Sequence, residues 1–351
     1  MAIGVERAVS QFSGVAGEAA TVLELGRELS RELHPLVPHD GFMLSGLDPL
    51  TCVSCFLSGE HSYSYASLRD VLLGEFRNGD RHTFAELWRG ASQVGVLGSG
   101  VREERNSLRL HEVMVPQGFG SEIRLALVSG GRLWGTMALV RQRGRPCFTA
   151  AEAVRAQCLV TPLAQALKRF VARRTPRPLR SARPPAVVVV DGSDRIRAAT
   201  PDGRAWLRAC LPGFTGPDDL LPITYWHITF MARRCAGPVV NRIPTPDGWI
   251  ETHAQPLADM APGSGTGADT SDVVITIQPA TSRALLPAVA AWYSITAREF
   301  AVLRQALEGL PARQIARRLD VSPHTVNDHF KALYRKVGVS AREELLATLS
   351  H

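Results

Sequence analysis

One stretch of the sequence, residues 321–337, places hydrogen-bonding side chains on one face of a helix. The residues that carry them are His324, Asn327, Asp328, Lys331 and Arg335, and a rotation of about 100° per residue brings them to the same side. An amide can pair with adenine, an ammonium group can donate to guanine, and a carboxylate can accept from cytosine. This face therefore has the chemistry needed to read base edges, although an ordinary amphipathic surface helix carries a similar pattern.

The opposite face of the same helix is apolar. Its residues are Val326, Phe330, Leu333 and Val337, spaced four, three and four positions apart. Ser322 can cap the first free N–H groups, and Pro323 suits the first helical position, where a missing N–H has no cost. The pattern predicts a helix that begins at Pro323 and packs by this face.

Three further short helices are predicted around this one. Thr296 and Glu299 form a capping-box pair at the start of the first, Pro311 opens the second, and Ser340 opens the last with Glu343 three residues on. The predicted core positions of the first two helices are Phe300, Leu303, Leu307, Ile315, Ala316 and Leu319. Two short helices joined by a turn of three to four residues have the geometry in which the second enters the major groove.

This C-terminal stretch resembles the LuxR-type helix-turn-helix. The resemblance is carried by Ile295 to Glu299, Gly309, Gln314-Ile315-Ala316, Leu319, Val321-Ser322, Thr325-Val326, His329, Lys336-Val337-Gly338-Val339 and Arg342. It implies double-stranded DNA as a partner, with RNA polymerase as a further one, and base reading by Asn327, Asp328 and Lys331. It places Ser322, Thr325, His329, Arg335 and Lys336 at DNA phosphates. Leu310 and Asp328 depart from the family pattern, so the base preference need not copy any relative.

The charge of this module predicts a dimer. Residues 296–351 hold nine Lys and Arg against six Asp and Glu, a net of +3, which is modest for a nucleic-acid binder. We therefore expect weak monomeric affinity and a homodimer that engages two half-sites. Leu345, Leu346 and Leu349 form an apolar strip that pairs two modules in this family, and the alternative is that the strip packs only into its own helical core.

The N-terminal part predicts an α+β domain. Residues 108–141 show strand patterns in LRLHEVMVP and in a hairpin that turns at Ser129–Gly130–Gly131. A helix over 148–172 follows, with Thr149 and Glu152 as a capping box. Residues 118–124, 133–141 and 148–152 resemble a GAF domain, and the resemblance spans 18–172. It implies a domain that senses a small molecule or only dimerises.

The central part predicts a second α+β domain. Residues 173–184 form a basic Pro- and Arg-rich linker that either binds phosphate or only connects domains. A hairpin, helices and two later strands over 185–281 resemble a PAS fold, in which Trp206, Trp226 and Trp249 either line a ligand pocket or are core residues. Residues 282–292 are predicted as a connecting helix, ahead of the module at 293–351.

Six cysteines leave one enzymatic alternative open. Cys52 and Cys55 form a CxxC pair, which suits a thiol redox enzyme or a redox sensor; the plainer interpretation is two small residues at a strand. No second pair stands at zinc-finger spacing, so we expect no metal and no cofactor. Gel shifts and thiol titration would separate the regulator from the enzyme.

The whole chain predicts a soluble multidomain protein that is not an enzyme. It has 351 residues, a net charge of +7 and 45% hydrophobic residues, which fits two or three folded domains. No uncharged apolar run is long enough for a membrane span, and the start does not resemble a signal peptide. The expected fold is two α+β domains, GAF-like and PAS-like, followed by an all-α four-helix module in the cytoplasm.

Overall fold

The computed structural model describes residues 2–75, 80–98, 100, 104, 106–179, 183–210, 221–235, 237–257 and 271–349. Its N-terminal domain contains the helices α1 (Ala2–Glu18), α2 (Val22–Leu33), α3 (Tyr65–Gly74), α4 (Phe84–Arg89) and α5 (Ala150–Ala172). The strands are β1 (Gly41–Leu47), β2 (Ser54–Glu60), β3 (Val94–Leu97), β4 (Phe119–Ser129) and β5 (Arg132–Gln142). They form one antiparallel sheet in the order β2-β1-β5-β4-β3.

The predicted hairpin and closing helix of this domain are confirmed. β4 and β5 pair across the Gly130–Gly131 turn, where both glycines have positive φ. The capping box at the start of α5 is present, since Thr149 accepts from the Glu152 N–H and Glu152 accepts from the Thr149 N–H. Both features depend on local sequence, which explains why the pattern located them.

The strand predicted for LRLHEVMVP is wrong. Residues Arg109–Met114 form a π-helical turn. Val113 and Met114 are consecutive and both buried, whereas a strand would point them to opposite faces. The turn also buries the Arg109 guanidinium between Asp80, at 3.1 Å, and Glu122, at 2.9 Å, a tertiary contact that no local pattern predicts.

The N-terminal domain begins earlier than the predicted residue 18. α1 packs along α5, and Phe12 and Ala16 are buried in the shared core. Arg169 of α5 donates to the backbone carbonyl of Ser13, and Arg173, at the end of α5, donates to that of Gly17. The first helix therefore belongs to this domain.

The central domain repeats the same sheet order. Its strands are β6 (Ala186–Val190), β7 (Ile196–Ala199), β8 (Val239–Thr245), β9 (Gly248–Pro256) and β10 (Val273–Pro279), and its helices are α6 (Gly203–Cys210) and α7 (Ile223–Arg234). The antiparallel order is β7-β6-β10-β9-β8. Trp206, Trp226 and Trp249 are each 3% exposed or less, which favours the core interpretation of these residues.

The basic linker is docked against the central sheet. The Leu179 N–H donates to the Trp249 carbonyl and the Trp249 N–H donates to the Arg177 carbonyl, at 3.0 and 2.9 Å. Pro178 and Trp249 thereby form an isolated parallel β-bridge. Residues 177–179 of the linker therefore contact β9 through an isolated bridge.

Polar contacts join the two sheet domains. The buried Asp48 accepts from the Arg242 guanidinium at 2.9 Å, and Asp194 pairs with Arg69 at 3.0 Å. The Ser54 N–H donates to Nδ1 of His227 at 3.1 Å. Each pair combines one residue from each domain, so the two domains share a polar interface.

The last five helices are α8 (Ser282–Trp292), α9 (Ala297–Leu307), α10 (Ala312–Leu319), α11 (Pro323–Val337) and α12 (Arg342–Leu349). α8 spans the range predicted for the connecting helix. At its end Trp292 lies 5.0 Å from Trp134 between ring centroids, and Lys168 donates to Oγ of Ser294 at 2.9 Å. These contacts attach the C-terminal module to α5 and β5. Among the described helices, none is long and apolar enough to cross a membrane.

Candidate functional site

A sharp turn sets the angle between α10 and α11. Asp320 ends α10 in the left-handed conformation, with φ of 52°, and its N–H donates to the Ala316 carbonyl. The Val321 N–H donates to the same carbonyl at 3.0 Å. An Asp tolerates this conformation better than most side chains, and the next residue already caps α11. The predicted helix-turn-helix is therefore present.

Both ends of α11 are closed as predicted. The Thr325 N–H donates to Oγ of Ser322 at 3.0 Å, and Pro323 occupies the first turn. Gly338 ends the helix with φ of 76°, and its N–H donates to the Tyr334 carbonyl at 2.9 Å. A side chain at this left-handed position would be strained, so glycine stabilises the stop.

The apolar face of α11 lies where the spacing predicts. Val326, Phe330, Leu333 and Val337 are each 3% exposed or less, and the helix contacts α9, α10 and α12. Ile315 and Leu303 are buried against it, whereas Phe300 and Leu319 lie half-buried at the edge of the core. Fixing one face of the helix in this way presents the opposite face to solvent.

The three predicted base-reading residues are all exposed on that outer face. They are Asn327, Asp328 and Lys331. Within the described part of the chain, the Asn327 side chain forms no hydrogen bond, so its amide can make both bonds of an adenine pair. The arrangement can meet base edges, and the assignment of each residue to a base remains a prediction.

Asp328 organises the charges on this face. Its carboxylate lies 3.0 Å from Nδ1 of His324 and 3.1 Å from Nζ of Lys331. The hydrogen bond from Lys331, with the charge of His324, lowers the pKa of Asp328. The Asp328 carboxylate therefore stays ionised, and it holds Lys331 over the surface that would face a groove.

The five predicted phosphate-contacting residues have different environments. Ser322 is exposed and caps the helix, Thr325 and His329 are half-buried, and Arg335 is exposed. Lys336 is instead part of the fold, since its Nζ donates to Glu299 at 2.6 Å and to the Ser294 carbonyl at 2.7 Å. Burial alone would raise the pKa of Glu299. The hydrogen bonds from Lys336 and Thr296 outweigh this effect, so the pKa of Glu299 is lowered. Contact of these five with DNA remains a prediction.

The outer turns of the module contain two arginines with structural roles. Arg342 donates to the Leu310 carbonyl and stacks over Phe330, 5.3 Å from its ring centroid. Arg318 pairs with Glu308 at 3.1 Å, while Arg317 is exposed and has no side-chain partner among the described residues. The sequence identified Arg342 as a motif residue, but only the fold shows that it joins α12 to α11.

The predicted dimerisation strip on α12 is largely used inside the module. Leu345 and Leu349 are buried in the module's own core, and Leu346 is half-buried. Ser340 pairs with Glu344 instead of the predicted Glu343. The Glu344 carboxylate accepts from the N–H and the hydroxyl of Ser340, both at 2.7 Å. The strip therefore leaves only part of Leu346 for a second copy.

A cavity of about 390 Å³ lies in the N-terminal domain between the sheet and the helices α3 and α4. We call it the sheet cavity. Its walls include the polar groups of Ser45, Ser54 and Thr136, and His227 and Met231 of α7 close one side. Burial lowers the pKa of His227 to about 4, so this imidazole is neutral at neutral pH. The cavity is within the size range of small-molecule sites.

Of the two cysteines of the alternative hypothesis, Cys52 lines this cavity and Cys55 belongs to the hydrophobic core. Cys55 is buried and donates to the Gly46 carbonyl at 3.3 Å, and Cys52 is half-buried with φ of 58°. Burial and the charge of Asp48 raise the pKa of both thiols, that of Cys55 strongly. Thiol chemistry needs a thiolate, so both environments oppose it. In the described ranges, no three His, Cys, Asp or Glu side chains cluster as a metal site requires.

Comparison with known families assigns the C-terminal module. Residues 293–349 match the family described as bacterial regulatory proteins, luxR family. Residues 293–349 are therefore a helix-turn-helix module of the luxR family, as the motif residues predict. The match covers the four helices α9–α12 and includes all eight predicted DNA-contacting residues.

Similar proteins are known over part of the chain. An HTH-type transcriptional regulator of Mycobacterium bovis and one of Mycobacterium tuberculosis are each 35% identical over 88 residues. The alignments cover 25% of this chain and 10% of each relative. The chain thus spans about a tenth of the length of these relatives.

Solved structures give only slight likenesses. SdiA of Escherichia coli is 13% identical with a TM-score of 0.37, covering 98% of this chain and 94% of that chain. The GAF domain of a phosphoenolpyruvate-protein phosphotransferase from Coxiella burnetii is 12% identical with a TM-score of 0.33, covering 49% and 97%. Likeness at these scores is too slight to transfer a ligand or a mechanism.

Proposed function

We propose that this protein is a sequence-specific DNA-binding transcription regulator of bacterial type. The observation that carries the proposal is the helix-turn-helix of α10 and α11, which buries one face of α11 and exposes Asn327, Asp328 and Lys331 on the other. In this geometry the second helix enters the major groove and its exposed side chains meet base edges. Arg335 and the capped start of α11 would hold the phosphates on either side.

Binding-site selection from random DNA, followed by gel shifts with the full chain, tests this proposal. Lys331→Ala is expected to weaken binding to the selected sequence about tenfold. Arg143→Ala is the matched control, because Arg143 is an exposed cation in the N-terminal domain, and it should bind like wild type. If the wild-type protein shows no preference over competitor DNA at physiological salt, the proposal fails.

We further propose that the two sheet domains, of GAF and PAS type, gate this module. Their shared strand order and the sheet cavity support the assignment. A small molecule in the sheet cavity would touch both domains, because His227 of the central domain forms part of its wall. Dimerisation would place two recognition helices on one operator, and RNA polymerase would be the partner for activation. Binding to the chromosome would locate the protein in the cytoplasm.

The enzymatic alternative has less support. The raised pKa values of Cys52 and Cys55 keep both as thiols at neutral pH, so we propose that the protein acts without catalysis. Thiol titration of wild type, Cys52→Ser and Cys55→Ser proteins tests this point. A fast-reacting thiol that is lost in one variant, together with turnover of a disulfide substrate, would reverse this conclusion.

A further inference from the structure

A cleft of about 1130 Å³ lies where the three parts of the chain meet. We call it the junction cleft. Its walls come from the end of α5, from the linker and the β8–β9 hairpin, and from Glu344, Ala347 and Thr348 of α12. Its lining shares Leu57 with the sheet cavity and includes no residue of α11. A molecule bound here would contact the sheet domains and the DNA-binding module at once.

Three arginines of the basic linker line this cleft: Arg173, Arg174 and Arg177. Arg173 and Arg174 both lie over the Phe170 ring, with guanidinium carbons 4.9 and 5.8 Å from its centroid. Each uses one N–H to bind a backbone carbonyl, that of Gly17 or Ala20. A guanidinium has five N–H donors, so most of these donors remain available to a ligand.

In the described part of the chain, the charges of these three arginines have no carboxylate partner within ion-pair distance. In that same part, the Arg177 side chain is exposed and makes no hydrogen bond. Burial, and then the like charge of Arg174, lower the pKa of Arg173. The group nevertheless stays charged at neutral pH, so an anion would relieve the repulsion.

Two carboxylates near the cleft keep their charge and are oriented by backbone or hydroxyl donors, not by the three arginines. Glu344 accepts from the Ser340 N–H and hydroxyl at 2.7 Å, and Glu24, which acts on Arg173 at longer range, accepts from the Ala20 N–H at 2.6 Å. Other parts of the wall are apolar and reach solvent, including the exposed Leu23 and the half-buried Pro244. The cleft thus combines a cationic side with an apolar side.

We propose that the junction cleft binds an organic anion with an apolar body and a carboxylate or phosphate headgroup. The headgroup binds the free guanidinium donors of Arg173, Arg174 and Arg177, since charge-assisted bonds from arginine suit both oxyanions. The apolar body lies along Leu23 and Pro244. The site does not depend on DNA binding, so each can fail without the other.

Isothermal titration of the full-length protein tests the site, with decanoate, decyl phosphate and uncharged decanol as probes. Both anions, or the one whose headgroup fits, should bind wild type, and decanol should bind at least tenfold more weakly. Arg177→Gln should weaken anion binding about tenfold, because one charged hydrogen bond is lost, and Arg177→Glu should weaken it further. The Arg177 side chain is exposed and contacts no side chain that the structure describes, so we expect both variants to keep the fold.

Two controls make the test decisive. Arg143→Gln removes a cation outside the cleft and should leave binding unchanged. Ala347→Trp, at an exposed position of α12, should reduce binding by filling the cleft from the DNA-binding module. Equal binding of decanol and decanoate, or wild-type affinity in both Arg177 variants, overturns the proposal. Gel shifts of the Arg177→Gln protein without ligand report on DNA binding separately.

Discussion

Nζ of Lys336 lies 2.6 Å from Oε2 of Glu299, and the same carboxylate closes the capping box of α9. The last turn of α11 is therefore attached to the first turn of α9. Lys336 also donates to the Ser294 carbonyl, and the hydroxyl of Ser294 accepts from Lys168 of α5. A continuous set of contacts thus runs from the N-terminal domain to α11.

We expect Lys336→Gln to lower the unfolding free energy of the C-terminal module by about 1–3 kcal/mol, because the buried Glu299 would lose a charged hydrogen bond. The side chains of Lys336 and Glu299 are 21% and 9% exposed, so solvent screens this pair less than a surface pair. Urea-dependent hydrogen exchange of the α11 amides measures the change. Arg335→Gln, one residue away and exposed, should change stability by less than about 0.5 kcal/mol. Equal stability of the two variants would contradict the structural role of Lys336.

The same two residues separate a phosphate contact from a structural one. Arg335→Gln should reduce the slope of log affinity against log salt by about 1, because one fewer counterion is released. Lys336→Gln should change this slope less, since its ammonium is already paired with Glu299. Gel shifts on one operator at several salt concentrations give both slopes. A slope unchanged in Arg335→Gln would remove Arg335 from the interface.

Asp328 should control base preference more than affinity. Replacing it by Asn removes the carboxylate that holds Lys331 and that can accept from cytosine. We expect Asp328→Asn to bind non-specific DNA more tightly and to lose about tenfold discrimination at one base pair. Selection of binding sites from random DNA measures both effects. If the selected sequence is unchanged at every position, Asp328 does not read a base.

The sequence located features that depend on local pattern and failed where distant residues decide. The buried face of α11, its Ser322 cap and its Gly338 stop follow from spacing and from residue types. The local pattern at Arg109–Met114 predicts a strand, whereas the segment forms a turn that buries Arg109 against Asp80 and Glu122. These two partners are distant in sequence, so the local pattern does not reveal them.

The same limit applies to the candidate site. Exposure of Asn327, Asp328 and Lys331 could be predicted from helical periodicity alone. The pairing of Lys336 with Glu299 joins residues 37 positions apart, and the contact of His227 with Ser54 joins residues 173 positions apart. Both need the packed domains, which a single sequence does not specify.

His227 should make the joint between the two sheet domains sensitive to acid. Burial lowers its pKa from 6.5 to about 4, and Nδ1 accepts the Ser54 N–H. Between these pH values the unfolded chain binds a proton that the folded chain does not bind. The unfolding free energy that the neutral His227 contributes is therefore complete above pH 6.5, and it is lost as the pH falls toward 4.

We expect wild type to lose about 2 kcal/mol more unfolding free energy than His227→Gln between pH 7 and pH 5. Glutamine keeps an acceptor for the Ser54 N–H but does not titrate. Burial also lowers the pKa of His39 and His82, and both residues remain in the two proteins, so the difference isolates His227. Urea denaturation at both pH values measures it. An equal loss in the two proteins would show that His227 is solvated or charged in the folded state.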